Sequence, residues 1–156
     1  MRMRELTERI DVEAPPERVW AALTDWTRQG EWMLATDVET VGGPAQGVKG
    51  RLAARTGLKL PGRRRHVGVL DTMVITEWEP PRRVVVQHTG RIVRGPGIFE
   101  VEPREGGGST FVWTEQLWLP FGFLGVAGWP LAKPFVVLGV RLSLRRFAAF
   151  ARTHPA

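Results

Sequence analysis

Arg4-Glu5-Leu6-Thr7-Glu8-Arg9-Ile10-Asp11-Val12-Glu13-Ala14-Pro15-Pro16-Glu17-Arg18-Val19-Trp20 decides the fold of this chain. Over residues 5–13 apolar and polar side chains alternate, which predicts a strand with Leu6, Ile10 and Val12 on one face and Thr7, Arg9 and Asp11 on the other. Glu8 shares the apolar face. Pro15 and Pro16 end the alternation and suit the first turn of a helix, where a missing amide donor costs nothing. Val19, Trp20 and Leu23 form the stripe that this helix would bury. A second short helix is expected over 26–33, weakened by Gly30.

Outward from that junction the sequence is strand-like and punctuated by turns. Strands are predicted over 34–41 and 49–58, joined through Gly42-Gly43-Pro44-Ala45-Gln46-Gly47, then over 67–78, 83–89, 97–102 and 110–119. The turns between the later strands are marked by Glu79-Pro80-Pro81, Gly95-Pro96-Gly97 and Gly106-Gly107-Gly108. A closing helix is expected over 134–152. At about 100° per residue, Val136, Val140, Leu144, Phe147 and Phe150 share one side and Arg141, Arg145 and Arg152 the other. Ser143 lies within the apolar stripe, either as a small residue that admits close packing or as a hydrogen-bond donor to a cavity. The order strand, two short helices, many strands, long helix predicts an α+β fold. A curved antiparallel sheet of about seven strands would wrap around the C-terminal helix in a single domain over 1–156.

Composition narrows the function classes. The net charge of +6 is mostly arginine, since Lys49, Lys59 and Lys133 are the only lysines. The absence of cysteine removes disulfides, thiol nucleophiles and thiolate metal sites. No signal-peptide pattern opens the chain, so a cytoplasmic location is the expectation. His66, His88 and His154 are scattered, without ligand spacing, so neither a metal nor another cofactor is expected. Arg63-Arg64-Arg65 forms one basic loop, and tyrosine is absent. An aromatic platform for single-stranded nucleic acid is therefore not evident, and no nucleic-acid partner is expected.

The segment Ile10-Asp11-Val12-Glu13-Ala14-Pro15-Pro16-Glu17-Arg18-Val19-Trp20 with Asp25 resembles the SRPBCC superfamily of START-like domains, in particular its polyketide cyclase/dehydrase-like branch. Ile75-Thr76-Glu77-Trp78-Glu79-Pro80-Pro81-Arg82-Arg83, Gly108-Ser109-Thr110 and the C-terminal helix extend the resemblance over nearly the whole chain. It implies a helix-grip fold with an internal apolar cavity. It assigns no ligand and no reaction, because members bind lipids, sterols, polyketides and plant hormones and only some are enzymes.

Alternation along 110–119 puts Phe111, Trp113, Glu115, Leu117 and Leu119 on one strand face, and the other face is more polar, so Trp113 and Glu115 are assigned to the cavity. A carboxylate beside an indole is poorly solvated unless a cation, such as an arginine of a neighbouring strand, approaches it. His88 shares a face with Val84 and Val86, and if that face is concave it can meet Glu115. Asp71 sits on a strand that is apolar on both faces, so its direction stays open. The expected ligand-binding set is Met73, His88, Phe99, Val101, Trp113 and Glu115 from the sheet, with Val136, Val140 and Phe147 from the helix. The expected partner is a hydrophobic small molecule: a lipid, a polyketide or an isoprenoid-like compound. One alternative is a cofactor-independent cyclase/dehydratase in which Glu115 and His88 are the catalytic candidates. Another is peripheral lipid transfer with transient membrane contact, and the chain is expected to be a monomer or homodimer. Residues 117–140 carry one charge, Lys133, and are long enough to span a bilayer, but their prolines and glycines argue against a continuous helix. Residues 120–129 are expected instead to form an apolar, mobile lid over the cavity.

Overall fold

A computed structural model describes residues 3–156. The chain runs β1 (Met3–Val12), α1 (Pro16–Leu23), a 3-10 helix (Trp26–Glu31), β2 (Thr36–Gly42), β3 (Arg51–Leu58), β4 (Val67–Glu79), β5 (Arg83–Thr89), β6 (Arg94–Pro103), β7 (Ser109–Trp118) and α2 (Phe123–Thr153). The seven strands form one antiparallel sheet in the order β1-β7-β6-β5-β4-β3-β2. All successive strands from β2 to β7 are neighbours, and β1 closes the far side against β7, Ile10 opposite Phe111. Short helices follow β1, and the long α2 lies against the sheet. This is the helix-grip architecture.

The strand-to-helix junction is tied down from three sides. Pro15 caps α1 in an extended conformation, with its carbonyl accepting from the amides of Arg18 and Val19. The carbonyl of Ala14 accepts from the fully buried Ser109 hydroxyl at 2.8 Å, so β7 fixes the turn that separates β1 from α1. At the other end of α1, Asp25 bonds His154 Nε2 at 2.8 Å and ties the helix pair to the chain's C-terminus. Asp25 and Ser109 thus hold the junction in place.

The core is aromatic. Trp32 is fully buried, 4.9 Å from the Phe147 ring, 6.4 Å from Phe111 and 6.1 Å from Trp113. Phe111 and Phe147 are 4.7 Å apart, and Phe99 stacks on Phe111 at 6.0 Å. A register shift between Ile75 and Glu77 turns Trp78 toward Trp20, 5.0 Å away in an edge-on contact.

Helix α2 departs from expectation at its start. It begins at Phe123, not near residue 134, and Pro130 and Pro134 lie inside it. Residues 120–129 are therefore mostly helix, and no lid loop spans them. The physical reason is exposure: both prolines face solvent, so the carbonyls four residues before each can turn to water, which reduces the loss of the intrahelical bonds. Leu144, Phe147 and Ala151 are buried, whereas Phe123, Leu124, Leu131 and Phe135 are each more than 70% exposed. One half of the helix is core and the other is surface.

Phe147→Ala removes a fully buried ring from the contact between α2 and the sheet. It should cost about 3–5 kcal/mol in chemical denaturation. An unchanged unfolding midpoint would overturn the assignment of this ring as the anchor.

Candidate functional site

Between the concave face of the sheet and the middle of α2 lies a cavity of about 530 Å³. Its walls are apolar: Leu52 and Ala54 of β3, Val69 and Met73 of β4, Val86 of β5, Phe99 of β6, Trp113 and Leu117 of β7, and Val136 and Val140 of α2. Ser143 also lines it, but its hydroxyl is engaged, accepting from the Leu34 amide and donating to the Gly139 carbonyl, each at 2.9 Å. That hydroxyl links α2 to the segment before β2. The residue packs where α2 meets that segment, and its hydroxyl donates to the helix backbone and not to the cavity.

At one end of this cavity stands a polar cluster. His88 Nδ1 is 2.7 Å from Asp71 Oδ2, and His88 Nε2 is 3.1 Å from Glu115 Oε2. The other Glu115 oxygen accepts from the Trp113 indole N–H at 2.6 Å. Asp71 Oδ1 is buried with no partner among the described residues. These side chains come from β4, β5 and β7, and β6 lies between the last two. Gly97 of β6, paired with Val86 on one side and Glu115 on the other, is what lets His88 and Glu115 meet. A Cβ at Gly97 would stand 3.1 Å from His88 Nε2 and 3.2 Å from Glu115 Oε2, inside the contact itself.

Electrostatics follow from this geometry. Burial alone pulls the His88 pKa down, but hydrogen bonds to Asp71 and Glu115 and the attraction of both carboxylates outweigh it, raising the pKa to about 10. The imidazole is therefore an imidazolium at neutral pH, with both N–H groups donating to carboxylates. The cation that compensates Glu115 is this histidine and not an arginine.

Of the side chains named from the sequence, Met73, His88, Phe99, Trp113, Glu115, Val136 and Val140 border the cavity. Val101 and Phe147 do not; both are buried in the aromatic core beside it, 3% and 0% exposed. They lie farther along the same faces, where α2 touches the sheet and closes the gap. Asp71 faces inward, which alternation could not decide on a strand apolar on both faces. Residues of β2 and β3 that line the cavity, such as Val38, Leu52 and Ala54, were readable as inward-facing only once the register of that hairpin is known. Gly97, expected from Gly95-Pro96-Gly97 to mark a turn, instead lies inside β6, paired with β5 and β7, and the chain bends at residues 90–93.

A second recess of about 790 Å³ meets the cavity at His88 and Ile92. Arg91, Arg94, Trp118 and Phe121 line it, so it is basic and aromatic where the first is apolar. Among the described residues no group of His, Asp and Glu is arranged to hold a metal ion.

Comparison with known proteins agrees with this architecture. Among solved structures, TTHA0849 from Thermus thermophilus superposes with a TM-score of 0.74 at 19% identity, over 95% of this chain and 97% of that one. The Zhui aromatase/cyclase from a Streptomyces species gives 0.70 at 16% identity, covering 97% and 94%. A protein from Nitrosospira multiformis gives 0.65 at 14% identity, with 94% of each chain covered. At these identities the likeness is one of fold. No curated protein matches the sequence. A family model described as "Polyketide cyclase / dehydrase and lipid transport" matches residues 3–152, and the chain belongs to that family.

Proposed function

We propose that this protein binds a hydrophobic small molecule in the cavity between sheet and α2, with a hydroxyl group of the ligand directed at the His88–Asp71–Glu115 cluster. The observation that carries this reading is a cluster of ionisable side chains at the end of a mostly apolar cavity, whose other polar lining residues, Gln29, Thr36, Thr56 and Ser143, bond within the protein. Volumes of about 300–1,000 Å³ with few, convergent polar groups are typical of small-molecule sites. The chemistry of the polar end follows from what is left unbonded. Both His88 N–H groups are taken, whereas Asp71 Oδ1 has no donor. A group that donates a hydrogen bond, such as a phenol, enol or alcohol, would satisfy that oxygen once a small shift of the cluster opens the buried atom to the cavity. A ligand carboxylate would instead face two protein carboxylates. Family membership supports lipids and polyketides as the classes to try first.

The 3.1 Å contact between His88 and Glu115 supports a second reading, a cyclase/dehydratase acting on a polyketide-like chain. A general base works best with a pKa near the working pH. An imidazole raised to about 10 is poorly matched to that task, so in this reading His88 would act by donating a hydrogen bond to a developing oxyanion. Such a role requires one of its N–H groups to leave its carboxylate, which is why binding is the better supported of the two.

Native mass spectrometry of freshly purified protein should find a retained small molecule that is neutral and bears a hydroxyl. Glu115→Gln should change its affinity while leaving the fold intact, and His88→Gln should do the same. Exclusive retention of long-chain carboxylic acids would sink the proposed polarity. Turnover of a linear polyketone, lost in both variants, would favour the enzyme.

The protonation state gives a separate test. Because the folded pKa of His88 lies above the unfolded value of 6.5, its contribution to stability is fully present below about pH 6.5. It declines as pH rises and is gone above about pH 10. Wild-type stability should therefore fall across this alkaline window more steeply than that of His88→Gln. NMR should show the imidazole still protonated at pH 8, and titration near 6.5 would contradict the buried pairing.

Gly97→Ala should push His88 and Glu115 apart, because the new methyl group occupies their contact. The expected signature is a lower His88 pKa by NMR together with weaker ligand retention. An unchanged His88 titration would show that the gap left by Gly97 is not needed.

A further inference from the structure

Strand order fixes which connections share an end of the sheet. In this antiparallel meander the links after β3, β5 and β7 lie at one end, and those after β1, β2, β4 and β6 at the other. The first set is unlike the second. Residues 58–70, 89–94 and 116–135 contain Lys59, Arg63, Arg64, Arg65, Arg91, Arg94 and Lys133 and not one aspartate or glutamate. Indeed no carboxylate side chain follows Glu115 anywhere in the sequence. Glu5, Asp37 and Glu39, at the starts of β1 and β2, are the carboxylates nearest these segments, and Glu39 and Asp37 are engaged by Arg65 and His66. At the opposite end Glu13, Glu79, Glu102 and Glu105 stand among the arginines.

The same end gathers exposed apolar side chains. Leu58 is 73% exposed, Phe121 78%, Phe123 82% and Leu124 74%, with Leu131 and Phe135 at 77% along the free half of α2. Phe121 and Trp118 border the recess that Arg91 and Arg94 also line, so the apolar and cationic groups form one continuous surface. Arg65 is held by Glu39 at 2.7 Å, while Arg63, Arg64, Arg91 and Arg94 make no ion pair among the described residues.

We infer that this end of the molecule docks on the surface of an anionic lipid bilayer, with the N-terminal half of α2 and Phe121 inserted at the headgroup boundary and the arginines meeting phosphates. Charge complementarity selects the occupant. Apolar side chains beside unpaired cations, which outnumber the carboxylates Glu5, Asp37 and Glu39 at this end, match a surface that is apolar inside and negative outside. By length and composition α2 is able to cross a bilayer. Its C-terminal half is committed to the core through Leu144, Phe147 and Ala151, so the helix rests on the membrane and does not pass through it. The recess that opens at this end shares His88 and Ile92 with the ligand cavity as a common wall, so docking brings that wall to the lipid phase. Only this last point rests on the proposed ligand binding; the docking surface stands on its own residues.

Vesicle flotation tests the inference with phosphatidylcholine alone and with added phosphatidylglycerol. The intact protein should float with the anionic vesicles, weakly with the neutral ones, and less as salt is raised. Leu131→Asp/Phe135→Asp and, separately, Arg91→Glu/Arg94→Glu should each reduce binding about tenfold or more with unchanged thermal unfolding, because all four side chains are exposed. Absence of binding to either vesicle would overturn the inference. So would binding indifferent to both lipid charge and the arginine variants. A dimer in sedimentation velocity that is dissolved by Leu131→Asp/Phe135→Asp would assign the surface to a second copy of the chain, and resistance of the bound protein to alkaline carbonate would indicate a spanning helix. Small-molecule retention measured on the same variants separates the two proposals, since loss of docking leaves a retained ligand in place.

Discussion

The contact of Phe147 with Trp32 and Phe111 is the constraint on which the remaining architecture depends. It seats the C-terminal half of α2 on the sheet through edge-on and tilted ring contacts at 4.7–4.9 Å. Everything N-terminal to that anchor follows from geometry. A curved sheet and a straight helix that touch at one place must diverge elsewhere. Val136 and Val140, about three and two turns before Phe147, no longer reach the core and instead border the cavity. Farther still, the helix leaves the protein behind. Core, cavity and exposed helix are successive stretches of one element.

The cavity imposes its own condition on the polar residues at its end. A charge in an apolar enclosure is costly unless paired, and a pair is costly unless its remaining hydrogen-bonding capacity is used. Asp71, His88 and Glu115 meet most of that condition together: each of the two carboxylates takes one imidazolium N–H, and Trp113 completes Glu115. The arrangement could not be built from adjacent strands alone, because His88 and Glu115 are separated by β6. It needs a residue without a side chain on the intervening strand, and Gly97 is that residue. Asp71 Oδ1 is the one acceptor left over. The cluster is therefore asymmetric: each of its donors is used, and one buried acceptor is not.

Much of this fold is legible in the sequence, for reasons that are local. The break from alternation at Pro15-Pro16, the marked turns before β3, β5 and β7 and the apolar stripe through Phe147 are short-range signals that fall where the elements do, whereas Gly95-Pro96-Gly97, expected as a turn, is paired inside β6 and the chain bends at residues 90–93 instead. Alternation was also enough to turn Trp113 and Glu115 inward, because their strand is polar on the other face. It failed for Asp71, whose strand is apolar on both faces. It also did not distinguish cavity from core: Phe147 and Val101 share faces with true cavity residues, and only the point at which helix and sheet make contact separates them. The start of α2 was misplaced for a different reason. Proline is a strong helix breaker only where the freed carbonyls lack water, and whether Pro130 and Pro134 face solvent is a tertiary fact.

The exposed half of α2 raises a question that folding alone does not answer. Burial drives folding because apolar surface leaves water. Phe123, Leu124, Leu131 and Phe135 remain in water in the folded chain, so they contribute little to its stability in exchange for the exposed patch that they create. Polar side chains would serve a free helix better, as the arginines do on the outward face of its C-terminal half. The contrast lies within one helix, between a stretch whose apolar residues are explained by the core and a stretch whose apolar residues are not. What explains the second stretch must therefore lie outside the folded monomer. The bordering arginines, of which Arg63, Arg64, Arg91 and Arg94 make no ion pair among the described residues, narrow its chemistry to something apolar within and negative at its edge.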